Sequence, residues 1–150
     1  MICYSTNAQW TPTGYNETMG VNDLHFLNGK MGFAAGYHQV YKTVDAGNTW
    51  TQISNNVFVN GPSCVWFFNE TTGIIAGSSG GGELQVAKTI NGGNTWSTNS
   101  LTGMVFNSPN QIFFFDNNEG YIACRDGKIF KTVNQGNSWT QLTTGTTEDI

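Results

Sequence analysis

Charged side chains are scarce in this sequence of 150 residues. Asp, Glu, Lys and Arg make up 11 % of the chain, whereas an average soluble protein has about 25 %. Only six residues are basic, and Arg125 is the one arginine. A protein that neutralises nucleic-acid phosphates needs clustered Lys and Arg side chains. The composition therefore excludes nucleic acid as an expected partner.

Cysteine, histidine and long apolar runs are also rare. The three cysteines, Cys3, Cys64 and Cys124, and the two histidines, His25 and His38, lack the spacing of a zinc site or a disulfide framework. We therefore expect no metal, no cofactor and buried free thiols, with one bridged pair as the alternative in an oxidising compartment. No stretch approaches the length of a membrane span, and the N-terminus shows no export signal. A chain cut from a longer protein, or from which a signal has been removed, would look the same.

Turn-forming and aromatic residues are abundant instead. The chain has 19 glycines and an aromatic fraction of 13 %, and Asn, Thr and Ser are frequent. No segment has a 3.6-residue apolar period long enough for a helix. This composition predicts many short strands joined by tight turns.

One octapeptide occurs three times and organises the chain. It reads TVDAGNTW at Thr43–Trp50, TINGGNTW at Thr89–Trp96 and TVNQGNSW at Thr132–Trp139, and a lysine precedes each copy. We call these copies the markers. Their tryptophans are 46 and 43 residues apart, which suits one four-stranded propeller blade per copy.

The segments around the markers repeat as well. Each marker follows an apolar run, a glycine-led segment (GFAAG, GIIAG or GYIAC) and a third strand, and a fourth strand leaves it. The apolar runs Asp23–Leu27, Cys64–Phe68 and Gln111–Phe115 are interpreted as first strands buried on both faces. Each unit thus contains strands A to D, and the marker forms the turn between C and D.

These units predict three whole blades with fragments on either side. Blade 1 is expected at residues 21–55, blade 2 at 61–101 and blade 3 at 107–144. Residues 1–20 resemble the outer strand of an incomplete blade, because the segment around Trp10 is similar to the start of a strand D. Residues 145–150 resemble the start of a further blade or a tail.

The markers have a mechanical interpretation. A short Asp or Asn side chain can accept hydrogen bonds from backbone N–H groups one to three residues ahead. The glycine supplies a positive φ, and the tryptophan is expected to bury on the order of 200 Å² between blades. Because two copies carry Asn, this position is needed for hydrogen bonding and not for acid–base chemistry. The residues with this structural role are Thr43, Asp45, Gly47, Trp50, Thr89, Asn91, Gly93, Trp96, Thr132, Asn134, Gly136 and Trp139.

The three octapeptides resemble Asp-box repeats, also called BNR repeats, over nearly the whole chain. With the leading lysine and the Gly-x-x-Ala-Gly strand, the sequence is most similar to the photosystem II stability/assembly factor-like subgroup. The resemblance implies an all-β fold, a β-propeller of four-stranded antiparallel blades with three Asp-box blades in this chain. It also implies that the Asp boxes lie opposite the usual ligand-binding face, and it favours an extracellular or cell-surface location.

The family that the sequence resembles also contains enzymes, so the function has to be inferred from the residues of the site and not from the fold. Sialidases hold the substrate carboxylate with three arginines, and this chain has one. Other glycosidases need two carboxylates about 5–9.5 Å apart across a cleft, and the acids here show no paired placement. We therefore expect a non-catalytic module, with a subunit or fragment of a glycoside hydrolase-like propeller as the alternative.

The expected binding surface comprises the B–C turns and the D–A connections, which share one face of a propeller. The B–C turns are where the repeats diverge most. The candidate ligand-binding residues there are Tyr37, His38, Ser78, Ser79, Glu83, Arg125 and Asp126. The D–A connections add Phe58, Asn60, Met104, Phe106 and Asn107.

Each candidate also has a simpler interpretation. Arg125 and Asp126 would then form only a surface ion pair, residues 78–82 a floppy turn, and His38 an exposed side chain. His25, Trp66 and Phe113, which lie inside apolar runs, are interpreted as core or channel-lining residues before ligand contacts.

Three blades are fewer than the four to eight of a closed propeller and would leave two apolar faces uncovered. We expect these faces to be covered by a second copy, giving a six-blade homodimer, or by further blades of a longer chain. The expected function is to present the loops to a glycan or protein partner, with neither nucleic acid nor membrane involved. Assembly of a photosynthetic complex is a third hypothesis that rests only on the name of the subgroup.

Overall fold

The computed structural model describes residues 20–55, 57–58, 60–101 and 108–143. Twelve strands in these ranges form three antiparallel sheets of four consecutive strands each. Blade 1 contains β1 (Val21–Phe26), β2 (Gly32–Gly36), β3 (Gln39–Thr43) and β4 (Thr51–Asn55). Blade 2 contains β5 (Pro62–Phe67), β6 (Gly73–Ser78), β7 (Leu84–Thr89) and β8 (Ser97–Ser100). Blade 3 contains β9 (Pro109–Phe114), β10 (Gly120–Cys124), β11 (Ile129–Thr132) and β12 (Thr140–Leu142).

The predicted all-β class with four-stranded antiparallel blades is confirmed. The described residues form three blades of a partial propeller. The described residues contain no helix, and so none long and apolar enough to cross a membrane. The strand predicted within 1–20 and the segment 145–150 lie outside the described residues, apart from Gly20.

A glycine begins the second strand of every blade because an aromatic ring occupies the place of its side chain. A Cβ at this position would lie 2.4–2.7 Å from the ring of the phenylalanine that ends the first strand, closer than packed atoms approach. The pairs are Phe26 with Gly32, Phe67 with Gly73 and Phe114 with Gly120. This contact accounts for the glycine that leads GFAAG, GIIAG and GYIAC.

Two hydrophobic clusters fill the seams between blades. We call the surface of a blade that points to the next blade along the chain its forward face, and the opposite surface its rear face. The first seam buries Phe33, Ala35, Val40, Phe58, Val65, Phe67, Ile75 and Ala87. The second seam buries Cys64, Ile74, Ala76, Leu84, Val86, Ile112, Phe114, Ile122, Cys124 and Phe130. In each seam a forward face packs on the rear face of the following blade.

The first strands are not all buried on both faces as predicted. Strand β5 is covered on both sides, but in β1 the rear-face residues Leu24 and Phe26 are 42 % and 41 % exposed. In blade 3 the forward-face residues Phe113 and Phe115 are 43 % and 70 % exposed. Among the described residues, only the middle blade has a neighbour on each side. The apolar runs therefore have similar sequences and different burial.

Cys64 and Cys124 are buried free thiols in the second seam. Burial raises the pKa of both thiols, to about 12 for Cys124. They therefore pack as small apolar side chains and are poor nucleophiles. Cys3 lies outside the described residues.

Candidate functional site

The threonine that begins each marker organises its turn. The Thr43 hydroxyl is buried, donates to Asp45 Oδ1 at 2.9 Å and accepts from the backbone N–H of Gly47 at 3.0 Å. Asp45 Oδ1 also accepts the N–H of Thr49, at 2.8 Å. The donor is thus four residues ahead, and the predicted reach of one to three residues is wrong. The glycine of each copy has a positive φ, between 74° and 90°.

Asp and Asn can replace each other in the markers because the direction of one hydrogen bond differs between the copies. In the first copy the Thr49 hydroxyl donates to Asp45 Oδ2, at 2.7 Å. In the second copy the amide of Asn91 donates to the Thr95 hydroxyl, at 2.8 Å. A hydroxyl can donate or accept, so either residue closes the turn. The Thr49 hydroxyl and N–H hold the pKa of the Asp45 carboxyl below its usual value, which suits a structural acceptor and not a proton donor.

The marker tryptophans are half-buried, and those of blades 2 and 3 pack against the clusters that fill the two seams. Trp96 packs at the edge of the first seam and meets the ring of Phe67 edge to face, with centroids 6.2 Å apart. Its indole N–H donates to the carbonyl of Gly93 at 3.0 Å, and Trp50 makes the same bond to Gly47 at 3.1 Å. One side of each indole therefore stays near the rim of its own blade.

The lysine before the second marker joins two blades, a role that the sequence interpretation missed. Lys88 of blade 2 donates to the carbonyl of Gln135 and to the side-chain oxygen of Asn137, both at 2.9 Å. Both acceptors belong to the marker of blade 3. The sequence showed that a lysine precedes every marker. It did not show that Lys88 contacts the next blade, and this contact gives the lysine its role.

A cleft of about 420 Å³ opens beside this lysine on the marker side of the second seam. Its walls include Lys88, Ile90, Thr95, Trp96 and Asn137, and none of its lining residues is an acid. The cleft therefore supplies no carboxylate pair for glycoside hydrolysis.

Side chains of β1 hydrogen-bond to the first strand of blade 2. Asp23 Oδ2 accepts the backbone N–H of Val65 at 2.9 Å, and His25 Nδ1 accepts that of Phe67 at 3.1 Å. The His25 ring also packs on Trp66, with centroids 4.1 Å apart. Burial lowers the pKa of His25, against the opposing effect of Asp23. His25 is thus a structural residue of the first seam.

The B–C turn of blade 1 presents an aromatic pair on the face where ligands were expected, which we call the loop face. The Tyr37 ring is exposed and stands edge-on to His38, with centroids 4.4 Å apart. His38 has a φ of 64°. Its backbone lies so close to Gly61 that a Cβ on Gly61 would be 2.6 Å from the His38 nitrogen. The turn of blade 1 therefore abuts the connection into blade 2.

The glycine-rich B–C turn of blade 2 is closed by hydrogen bonds. The backbone N–H of Ser79 donates to the Glu83 carbonyl at 2.9 Å, and the Ser79 hydroxyl accepts the Glu83 N–H at 3.1 Å. Asn60 donates to the carbonyl of Ser78 through its backbone and to that of Ser79 through its amide. The D–A connection and the B–C turn thus form one surface.

Phe58, a candidate from the D–A connection before β5, is not part of this surface. Phe58 is buried in the first seam, so its expected place on the binding face is wrong. Met104, Phe106 and Asn107 lie outside the described residues.

Arg125 and Asp126 do not pair with each other in blade 3. Asp126 forms a salt bridge of 2.6 Å with Lys128, and Arg125 donates from Nε to the side-chain oxygen of Asn110 at 3.1 Å. The alternative in which these two residues form only a surface ion pair is therefore wrong. Their side chains bring both signs of charge to the loop face.

The described acids mostly have structural partners. Asp23 and Asp45 act as described above, Asp116 accepts two backbone N–H groups at 2.7 Å, and Glu119 pairs with Lys131 at 2.9 Å. These contacts lower the pKa of the Asp116 and Glu119 carboxyls. A glycosidase acid needs the opposite shift. Within the described ranges, no three His, Cys, Asp or Glu side chains are grouped as metal ligands.

The sequence model of one protein family matches almost the entire chain. The family is described as photosynthesis system II assembly factor YCF48, and the match extends over residues 3–149. No curated protein matches the sequence.

Solved structures share the fold at low identity. A structure of YCF48 bound to a D1 peptide is 23 % identical, with a TM-score of 0.66 over 84 % of this chain and 41 % of that one. YCF48 from Cyanidioschyzon merolae is 20 % identical, with a TM-score of 0.64 over 89 % of this chain and 40 % of that one. The GH74 enzyme of Niastella koreensis is 21 % identical, with a TM-score of 0.61 over 81 % of this chain and 20 % of that one. The chain thus spans about two fifths of the YCF48 structures that it matches.

Proposed function

Because the chain belongs to the family of the photosynthesis system II assembly factor YCF48, we propose that it is a non-catalytic module that binds a protein segment on its loop face. The observation that carries the proposal is the family match over residues 3–149. The YCF48 structure with a bound D1 peptide supports a peptide as the kind of partner. The same family gives the hypothesis of an assembly factor for a photosynthetic complex more support than the subgroup name alone.

The chemistry of the loop face suits a peptide. Tyr37 offers an exposed aromatic ring, and tyrosine and arginine are enriched among the residues that dominate protein interfaces. Arg125 carries an exposed guanidinium, which binds a carboxylate through two parallel hydrogen bonds. Glu83, Asp126 and Lys128 add charges of both signs within the B–C turns. This mixture favours a partner with apolar and charged side chains over a uniformly charged polymer.

The turns are also held in place before a partner arrives. Ser79 is bonded to Glu83 on both sides of its turn, and Asn60 ties that turn to the connection before β5. Binding to ordered loops costs less conformational entropy than binding to loops that must be fixed. We expect the loop face to bind without a large rearrangement.

A glycan is the other class of ligand considered for this face, because the exposed Tyr37 ring would stack on a sugar. The glycosidase alternative has less support, because Asp45, Asp116 and Glu119 are engaged in structural contacts that lower the pKa of their carboxyls. A likeness to the GH74 enzyme at 21 % identity concerns the fold.

We also propose that the uncovered faces of blades 1 and 3 are closed by further blades, from a second copy or a longer chain.

Titration of a labelled D1 peptide with the 150-residue chain, followed by fluorescence anisotropy, tests the function. We expect saturable binding that Tyr37→Ala and Arg125→Ala each weaken by about tenfold, the scale of an interface residue worth 1.4 kcal/mol. Val133→Ala is the control, because Val133 is exposed on the marker side. No binding by the unchanged chain, or equal losses in the control, would contradict the proposal. Glycan binding on an array without peptide binding would replace it.

A further inference from the structure

The two seams inside the chain follow one packing rule. The forward face of a blade covers the phenylalanine that ends the first strand of the next blade. Phe33 stacks on Phe67 in the first seam, with centroids 3.4 Å apart, and Phe68 meets Phe114 edge to face in the second, at 4.7 Å. Both covered rings are almost fully buried. A forward face is therefore a binding surface for this ring.

Each half of the same contact is open once among the described residues. Phe26 has the covered-ring position in blade 1, but it is exposed on the rear face. Phe115 has the position of Phe68 in blade 3, and its ring contacts are with Phe113 and Tyr121 of its own blade. Among the described residues, no neighbouring blade therefore packs on Phe26 at the rear face of blade 1. Likewise, Phe115 at the forward face of blade 3 packs on no ring of a following blade.

The polar half of the contact is open as well. Lys88 crosses the second seam to the marker of blade 3, as described above. Its counterpart Lys131 instead pairs with Glu119 of its own blade at 2.9 Å, and its ammonium group lies over the Tyr121 ring, 5.4 Å from the centroid. In the first seam the ammonium of Lys42 lies over the Phe33 ring instead, 5.6 Å from its centroid. Exposed ion pairs contribute little to stability, so Lys131 is available to a neighbouring marker.

We propose that the forward face of blade 3 binds the rear face of blade 1 of a second copy, and that Lys131 binds the marker turn of that copy. This inference rests on the proposed closure of the uncovered faces and assigns it to a homodimer. The two open faces correspond to the two halves of the internal seams, so the new contact continues an interface that the chain already contains. Two identical contacts of this kind close a ring of six blades, a number that propellers adopt.

The repeat assigns the partners of Lys131. The counterparts of Gln135 and Asn137 in the first marker are Ala46 and Asn48, so Lys131 donates to the Ala46 carbonyl and the Asn48 side-chain oxygen of the second copy. Asp45 is the only anion among the residues at its marker position. A second copy therefore presents its one charged marker to the lysine, which favours the pairing electrostatically.

Light scattering coupled to size exclusion tests the proposal on the 150-residue chain. We expect a closed dimer whose mass does not rise further with concentration. A monomer at all concentrations, or polymers that grow with concentration, would overturn it. Phe115→Asp places a charge in the new seam, and we expect it to give monomers. The variant should fold, as shown by an unchanged circular dichroism spectrum, because Phe115 is exposed in the single chain.

Asp45→Asn tests the electrostatic part separately. Blades 2 and 3 show that Asn closes this turn, so the fold is retained while the charge is lost. We expect a several-fold weaker dimer at low salt and a smaller difference at high salt. Lys131→Ala should weaken the dimer similarly. The control Lys128→Ala removes the same charge from the loop side of blade 3 and should leave dimerisation unchanged. Equal affinities for all three variants would overturn the role of Lys131.

Peptide binding separates this inference from the proposed function. The loop face and the new seam use different residues, so Phe115→Asp should keep the affinity for the D1 peptide. If the chain forms a dimer but binds no peptide, the proposed dimer contact is supported and the proposed peptide-binding function is contradicted. If it is a monomer that binds peptide, the function is supported and the dimer contact is contradicted.

Discussion

Blade 1 and blade 2 carry the same aromatic ring in opposite surroundings. Phe26 and Phe67 each meet the tryptophan of their own marker edge to face, with centroids 6.0 Å and 6.2 Å apart. Only Phe67 has a neighbouring blade over it, and only Phe67 is buried. Contacts within a blade therefore follow from the repeat, whereas burial follows from the position of the blade in the stack.

The marker glycines show the same difference. Gly93 and Gly47 both have a positive φ, of 90° and 85°. A Cβ on Gly93 would lie 2.6 Å from Cδ1 of Ile53, which comes from blade 1. A Cβ on Gly47 would meet only atoms of its own blade, at 3.6 Å or more. Glycine is needed for the turn in both copies, but only Gly93 of these two also makes room for a side chain of the preceding blade, as Gly136 does for Ile74 in blade 3.

The largest expected effect comes from truncating the covered ring. Phe67→Ala should cost about 3–5 kcal/mol of unfolding free energy, because it leaves a cavity in the first seam. Phe26→Ala should cost no more than about 1.5 kcal/mol, because the ring is already partly in water. Urea denaturation of both variants in the Phe115→Asp background, which is expected to be monomeric, measures the difference. Equal losses would show that the repeat and not the stack determines the energy of this ring.

A smaller effect, equal in both blades, is expected for the marker threonines. Thr43 and Thr89 are both buried, and each hydroxyl makes the same bonds inside its own turn. Thr43→Val and Thr89→Val should each cost about 1–3 kcal/mol, because the N–H groups of Gly47 and Gly93, which are at least partly buried, lose their acceptor. The same urea titration applies. A loss in blade 2 that is much larger than in blade 1 would show that the turn energy also depends on the neighbouring blade.

Features within one blade were predictable from the sequence, because they recur with the repeat. The three markers predicted the all-β fold and its four-stranded blades, and the copies with Asn indicated a structural role for that position. The identity of the hydrogen-bond donor was not predictable. Thr49 reaches Asp45 only because Gly47 and its neighbours curl the turn, and no spacing rule includes that curvature.

Features between blades could not be predicted from the repeat. Lys42, Lys88 and Lys131 stand in the same sequence context, but one lies over a ring, one joins two blades and one pairs within its own sheet. The difference depends on which residues the next blade presents. At the candidate site, the turns of the loop face were located by their divergence, whereas the partners of Arg125 and Asp126 appeared only in the structure.

The smallest expected effect is a pH dependence of the first seam, which has no counterpart in the second. His25 Nδ1 accepts the N–H of Phe67, and the residue at the same position in blade 2 is Trp66. Because burial lowers the pKa of His25 in the folded state, the unfolded chain binds the proton more tightly. The contribution of His25 to the free energy of unfolding should therefore be fully present above about pH 6.5, the usual pKa of histidine, and should decrease as the pH falls below this value.

Urea titrations between neutral pH and pH 5 measure this slope against His25→Asn, whose side-chain oxygen can accept the same N–H without titrating. We expect the unchanged chain to lose stability in this window and the variant to lose less, since its remaining slope comes from other groups. Identical slopes would place the proton uptake elsewhere. A shallower slope in the variant would show that the seam between blades 1 and 2 is held by an acceptor that acid removes, while the second seam, built on Trp66 and its aromatic contacts, is not.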